Sequence, residues 1–229
     1  MNVVSLTGVA KTYHLDLVSV PALAAIDLEI RADRFTVISG PSGSGKTTLL
    51  NLIGCIDQPD AGEVVVAGAS VQKLSDDSLS DFRARHLGFI FQNFNLLPVL
   101  TVEENVEYPL LLARIAPSER RQRVAALLEA VGIADKARAF PGQLSGGQRQ
   151  RVAIARALAP QPELVLADEP TANLDSHTGE QIIALMRRMQ VERHASFVFS
   201  SHDPKVLAAA DDAVMIRDGR IERVERRKP

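Results

Sequence analysis

Eight residues constrain this chain more than any others: Gly40-Pro-Ser-Gly-Ser-Gly-Lys46-Thr47, set between a continuously apolar run, Phe35–Ser39, and a helix-like stretch, Thr48–Ile56. They fit G-x-x-x-x-G-K-[ST] in the strand, loop, helix order that the pattern requires. A short strand that is apolar on both faces must be covered on both, so the unit belongs to a parallel α/β sheet. A triphosphate needs many converging N–H donors on a backbone clear of Cβ atoms, which explains Gly40, Gly43 and Gly45. Pro41, Ser42, Ser44 and Thr48 share that cradle. The helix start adds roughly half a positive charge, Lys46 bridges the β- and γ-phosphates, and Thr47 offers a hydroxyl to Mg²⁺.

Apolar runs of the same type recur at Leu87–Phe91, Leu164–Ala167, Ser196–Ser200 and Ala213–Ile216, which supplies four more strands for the parallel core. Val3–Leu6 and Leu23–Ile30 alternate instead, as half-exposed strands of an antiparallel edge sheet do. The run from Leu164 ends in two carboxylates, Asp168 and Glu169. A strand end brings Asp168 beside the phosphate loop of a neighbouring strand, where it can hold Mg²⁺ through water, and Glu169 can polarise an attacking water.

The pattern between these strands turns helical. Thr101–Ile115 opens with a Thr-x-x-Glu capping box (Thr101, Glu104), Pro117–Val131 opens with Pro-Ser-Glu, and a third helix runs from Ser145 to Leu158, stopped by Pro160 and Pro162. Residues 92–159 are therefore expected to form an inserted helical subdomain in a core made of 1–91 and 160–229. The 229 residues make one globular body that needs no disulfide. A formal charge of −2 gives no field for nucleic acid, and no apolar run reaches the ~18–20 residues of a membrane span, so neither binding to nucleic acid nor insertion into a bilayer is expected. The N-terminal segment lacks a secretory pattern, and the single cysteine, Cys55, fits a reducing compartment and a packing role. The basic tail Arg223–Pro229 is expected to fray, and Arg149, Arg151 and Arg156 to form a solvated helix face with salt bridges.

Leu144-Ser145-Gly146-Gly147-Gln148 makes a second anion-binding helix start. Two such sites for one kind of ligand point to a head-to-tail dimer, with two nucleotides sandwiched between the copies.

At this point the sequence resembles the ATP-binding subunits of ABC transporters, over essentially the whole chain. Gly40–Thr47 looks like the Walker A loop, Leu164–Asp168 like Walker B with Glu169 as its catalytic carboxylate, and Leu144–Gln148 like the family signature. Gln92 stands where the Q-loop glutamine would contact the metal, and Tyr13 where an aromatic residue would stack on adenine. Asn173-Leu174-Asp175 stands as the D-loop and His202 as the switch histidine. Without the resemblance, Tyr13 reads as a packing residue ahead of an adenine platform, and Gln92 equally as a solvated strand end. The resemblance implies a P-loop NTPase fold and Mg²⁺-dependent ATP hydrolysis, with Lys46, Glu169 and His202 as catalytic groups. It further implies a homodimer bound to integral-membrane permease subunits at the cytoplasmic face of the inner membrane. The apolar segment Asn93–Leu100 would receive a helix of that permease, or else fill the subdomain core.

The Lys-Thr-Tyr13 start and the Asn-Leu-Leu-Pro segment look most like the group of lipoprotein-release and macrolide-efflux ATPases. Departures are the glycine-free loop His14–Val20, Cys55, Asp60, and Ser201 in place of the usual threonine before His202. The alternative is a soluble ABC ATPase of the iron–sulfur-assembly or cell-division type.

Overall fold

A computed structural model describes residues 1–15 and 18–227. β1 (Asn2–Leu15) and β2 (Val18–Arg31) pair antiparallel and bury Val4, Leu6, Val9, Leu23, Ile26, Leu28 and Ile30. Both extend well beyond their apolar runs, because only one face is covered and positions such as Thr7 and Glu29 remain exposed. The loop noted at His14–Val20 includes Asp16 and Leu17, which lie outside the described residues.

β3 (Phe35–Ser39), buried along its whole length, leads into α1 (Lys46–Ile53). α1 stops short of Ile56 because Gly54 caps it and Cys55 turns to φ 55°. Burial pushes the Cys55 thiol up to about 11, which suits a packing residue. β4 (Ala61–Val66) and β5 (Ala69–Ser70) complete a four-stranded antiparallel sheet in the order β2-β1-β4-β5. α2 (Asp76–His86) precedes β6 (Leu87–Ile90), and three helices follow: α3 (Val102–Leu112), α4 (Pro117–Ala130) and α5 (Gly146–Leu158). The chain then returns through β7 (Leu164–Asp168), α6 (Ser176–Arg193), β8 (Ser196–Ser200), α7 (Pro204–Ala209), β9 (Asp212–Arg217) and β10 (Arg220–Arg226).

The second sheet has the order β10-β9-β3-β8-β7-β6. The five strands from β9 to the β6 edge are parallel. β10 pairs antiparallel with β9, so the tail expected to fray from Arg223 is a strand as far as Arg226. Pairing satisfies the open edge of β9, and the Arg227 N–H donates to the Asp211 carbonyl. Lys228 and Pro229 lie outside the described residues.

The parallel strands send alternate side chains into two cores. Phe35, Val37, Val165, Ala167, Phe197 and Phe199 face the helical block and α6, whereas Ile38, Leu164, Leu166 and Val198 face α1 and the antiparallel sheet. This double burial is why these segments read as unbroken apolar runs. β8 lies between β3 and β7. Asp168 is therefore not on the strand next to the phosphate loop, as its sequence position had suggested, but one strand further away.

The helical block meets this sheet where α5 crosses β6. A Cβ at Gly88 would lie 2.3 Å from the Ala157 carbonyl oxygen, so only glycine allows that approach. Gly88→Val is expected to destabilise the chain by about 1–3 kcal/mol through overpacking, seen as a lower thermal midpoint of about 2–4 °C per kcal/mol at this size. An unchanged midpoint would mean that α5 can lift off β6 without cost.

Candidate functional site

The site is built at the carboxyl ends of β3, β7 and β8, where open α/β sheets take their ligands. α1 begins on Gly45 at φ 101°, with no side chain capping it, whereas α2, α3, α5, α6 and α7 are each capped by a Ser, Thr or Asp. The first N–H groups of α1 have no intrahelical acceptor. Lys46 Nζ donates to the carbonyls of Gly40 (2.8 Å) and Pro41 (2.9 Å), which folds it across the loop. Pro41, Ser42 and Gly43 are exposed, whereas Ser44 is buried and its Oγ has no partner among the described residues. Gly40 is glycine for a reason the sequence did not reveal: a Cβ there would sit 2.0 Å from the Ile216 carbonyl oxygen of β9.

Thr47, Asp168, Glu169 and His202 come together through one connected network. Thr47 Oγ1 donates to Asp168 Oδ2 (3.2 Å), and Ser200 Oγ donates to Asp168 Oδ1 (2.5 Å). The Glu169 N–H donates to the same Ser200 oxygen (3.1 Å). Glu169 Oε1 lies 2.9 Å from His202 Nδ1, with the carboxylate 19% and the imidazole 76% exposed. Glu169 holds φ at 46°, a left-handed conformation that costs a non-glycine residue about 1–2 kcal/mol. Ser200 was not singled out from the sequence; its only signal there is a hydroxyl in an otherwise apolar strand end.

Gln92 is exposed and tied in through its backbone, its carbonyl accepting from Asn173 Nδ2 at 3.0 Å. The segment after it passes through two left-handed residues, Phe94 (φ 62°) and Asn95 (φ 47°). Arg156 holds that bend by donating to the carbonyls of Phe94 (2.7 Å) and Asn95 (2.5 Å). Arg151 donates to the Val131 carbonyl (2.7 Å), and Arg149 lies over the Phe94 ring, 5.2 Å from its centroid. These arginines are not the solvated, salt-bridged face expected of them, because α5 packs centrally and its flanks meet loop carbonyls. Desolvation holds the Arg156 pKa below its usual value.

Asn105, fully buried, completes the loop by donating to the carbonyls of Leu97, Leu100 and Thr101. Phe94 is buried and Leu96 packs on the core, whereas Leu97 and Val99 point outward. A groove of about 410 Å³ is lined by Phe89, Phe91, Tyr108 and Leu112, with Arg156 in its wall.

The signature segment closes on itself. Ser145 Oγ accepts from the Gln148 N–H (3.3 Å), and Gln148 Oε1 accepts from the Ser145 N–H (2.9 Å). The Gly146 and Gly147 N–H groups have no acceptor among the described residues. Gly147 is pressed against Thr178, whose methyl would lie 2.6 Å from an added Cβ, and Asp175 caps α6 through the Thr178 N–H (3.0 Å). The Thr178 side chain, and after it that backbone bond, hold Asp175 below the usual carboxylate range. Among the described residues no hydrogen bond joins Leu144–Gln148 to the phosphate loop of the same chain. Tyr13, half-buried, donates from its phenol to Asp57 Oδ2 (2.9 Å), while Lys11 Nζ donates to Asp57 Oδ1 (2.7 Å). Burial raises the Tyr13 pKa, with the Asp57 hydrogen bond adding to it.

A family model described as ABC transporter matches residues 23–172. An uncharacterized ABC transporter ATP-binding protein of Thermotoga maritima is 47% identical over 99% of this chain and 96% of its own length. The macrolide export ATP-binding/permease protein MacB of Photorhabdus laumondii is 45% identical over 94% of the chain, which spans 33% of that longer protein. Among solved structures, a dimeric post-hydrolysis state of the ATP-binding cassette MJ0796 with ADP and Pi aligns with a TM-score of 0.90 at 43% identity, covering 99% of each chain.

Proposed function

The chain belongs to the ABC transporter family as an ATP-binding, ATP-hydrolysing subunit, and from that premise we propose how its residues divide the work of driving a membrane transporter. The observation that carries the reading is the network that ties Thr47, Asp168, Glu169 and His202 together at the mouth of the phosphate loop.

The amides from Gly43 to Thr48 and the Lys46 ammonium bind the β- and γ-phosphates, Lys46 exchanging two loop carbonyls for phosphate oxygens. Glu169 orients the attacking water and takes its proton, and His202 holds the Glu169 carboxylate and the γ-phosphate in register. Tyr13, anchored by Asp57, is the adenine platform. The Thr47 hydroxyl and the Asp168 carboxylate, 3.2 Å apart, would hold Mg²⁺, with exposed Gln92 as a further candidate to hold it. No cluster of three or more His, Cys, Asp or Glu side chains among the described residues could hold a metal unaided. That fits Mg²⁺, which takes few protein ligands and completes its shell with phosphate and water. Charge neutralisation on the nucleotide phosphates is the chemistry that Mg²⁺ would supply when bound there.

The second half of each site comes from another copy. Ser145, Gly146, Gly147 and Gln148 face the nucleotide of the partner subunit, which gives the two unpaired glycine amides their acceptors, and Asp175 couples the two sites. The similarity to a dimeric cassette containing ADP and Pi supports this arrangement.

No helix among the described residues is long and apolar enough to cross a membrane. In this reading the work of ATP hydrolysis passes to membrane-spanning permease subunits. The exposed side chains of Leu97 and Val99, together with Tyr108 and Leu112 of the groove, form the contact surface, while Leu96 packs against the core. Residues 92–159 act as the helical arm that transmits the movement, and the protein works peripherally at the cytoplasmic face of the inner membrane. Similarity to a macrolide export ATP-binding/permease protein favours export.

Detergent-solubilised membranes test this. The tagged chain should retain a multi-span membrane protein, and Leu97→Asp with Leu112→Asp should release it while ATP binding persists. Failure to retain any membrane protein would favour the iron–sulfur-assembly or cell-division alternative; retention by the double variant would move the contact surface elsewhere.

A further inference from the structure

Resting on that reading of the site, we infer that Ser200 is a positioning residue for the reaction, a single hydroxyl that sets which Asp168 oxygen faces the metal and holds the Glu169 backbone in place. Ser200 is fully buried at the end of β8, directly opposite Asp168 in the parallel register of β7 and β8. A serine hydroxyl has one proton to give. It goes to Asp168 Oδ1 at 2.5 Å, which leaves Oδ2 turned toward Thr47. The lone pairs of the same oxygen accept the Glu169 N–H at 3.1 Å, exactly where the chain enters its left-handed turn at φ 46°.

Two residues further on, His202 contacts the Glu169 carboxylate. The switch strand therefore grips both carboxyl residues, one through its side chain and the other through its backbone and side chain. Because β8 lies between β3 and β7, no residue on the phosphate-loop strand can substitute for this bridge. Any shift of the His202 segment is transmitted through Ser200 to the Asp168 rotamer and to the peptide that carries Glu169.

Outer-shell partners of metal ligands are worth about 10–100-fold in metal affinity or activity. The test is nucleotide binding as well as turnover, measured on the full chain with ATP in Mg²⁺ and with ATP in EDTA. Ser200→Ala should raise the Mg²⁺ concentration for half-maximal turnover and lower kcat, each by about 10-fold or more. It should also weaken Mg²⁺-supported ATP binding while leaving binding in EDTA within about two-fold, since the loop amides and Lys46 are untouched. Ser200→Thr, which keeps the hydroxyl, should recover most of the Mg²⁺ dependence. Ser200→Cys, of nearly the same shape but a weaker donor, should behave like the alanine variant and covers the case in which alanine does not fold.

Equal losses in Mg²⁺ and in EDTA would show a general packing defect and overturn the assignment, as would a Mg²⁺ dependence in the alanine or cysteine variant identical to the parent's. A parent chain that shows no Mg²⁺-dependent ATP turnover at all would instead overturn the reading of the site itself, and this inference with it.

Discussion

Glu169→Gln is expected to lower ATP turnover by about 10²–10⁴-fold, the usual worth of a positioned general base, while ATP still binds and a nucleotide-bound dimer accumulates. Glutamine keeps the shape and the contact with His202 Nδ1 but cannot accept a proton from water. The backbone N–H of residue 169 still donates to Ser200, so the left-handed turn and the Asp168 rotamer survive. Binding is retained because Lys46, the loop amides and Thr47 are unaltered. Single-turnover assays on mixed ATP, with size-exclusion chromatography, read both effects. Wild-type turnover in this variant would remove Glu169 from its role; loss of ATP binding would make it a structural residue.

The second large effect separates the two halves of the site. Lys46→Ala removes a charge-assisted phosphate contact worth about 1.5–3 kcal/mol in the ground state alone, and Ser145→Arg fills the partner-facing helix start. Each variant by itself should lose about 10²-fold or more of its activity, from roughly 3 kcal/mol of lost transition-state stabilisation. In a two-fold dimer, residue i of one copy meets j of the other, and j meets i. Mixing the two variants therefore leaves one intact site in every heterodimer, with both lesions gathered in the other site. If the sites act independently, an equal mixture should recover about a quarter of wild-type activity, since half the dimers are mixed and each has one of two sites intact. No recovery would mean that Ser145 serves the nucleotide of its own chain. Ser145 is exposed, so losing its cap should cost only about 1 kcal/mol and spare the fold.

Much of the fold is legible along the chain because its signals are local. β3, β7 and β8 are short apolar runs, Thr101 and Ser145 head capping boxes, and both helices begin at the following residue. Helix ends read less well: α3 stops at Leu112 rather than Ile115, where Arg114 turns left-handed at φ 57°. α2 escaped notice because Leu79 is its only buried residue, so it has almost no apolar stripe. β10 escaped because alternating arginine and glutamate on an exposed edge strand looks like a solvated tail.

The chemistry divides in the same way. Gly40–Thr47, Asp168, Glu169 and His202 could be named from the sequence, because phosphate cradles and strand-end carboxylates need particular residues at particular spacings. That Ser200 joins the two carboxyl residues could not, since it depends on β8 lying between β3 and β7. Nor could the sequence distinguish arginines on a solvated face from Arg156 gripping the carbonyls of Phe94 and Asn95. Residue type and spacing along the chain determined which ligand the protein is built to bind, because a P-loop works through consecutive backbone amides. Strand order, and the long-range hydrogen bonds that strand order permits, was decided only in three dimensions, where side chains far apart in sequence share one proton or one carbonyl.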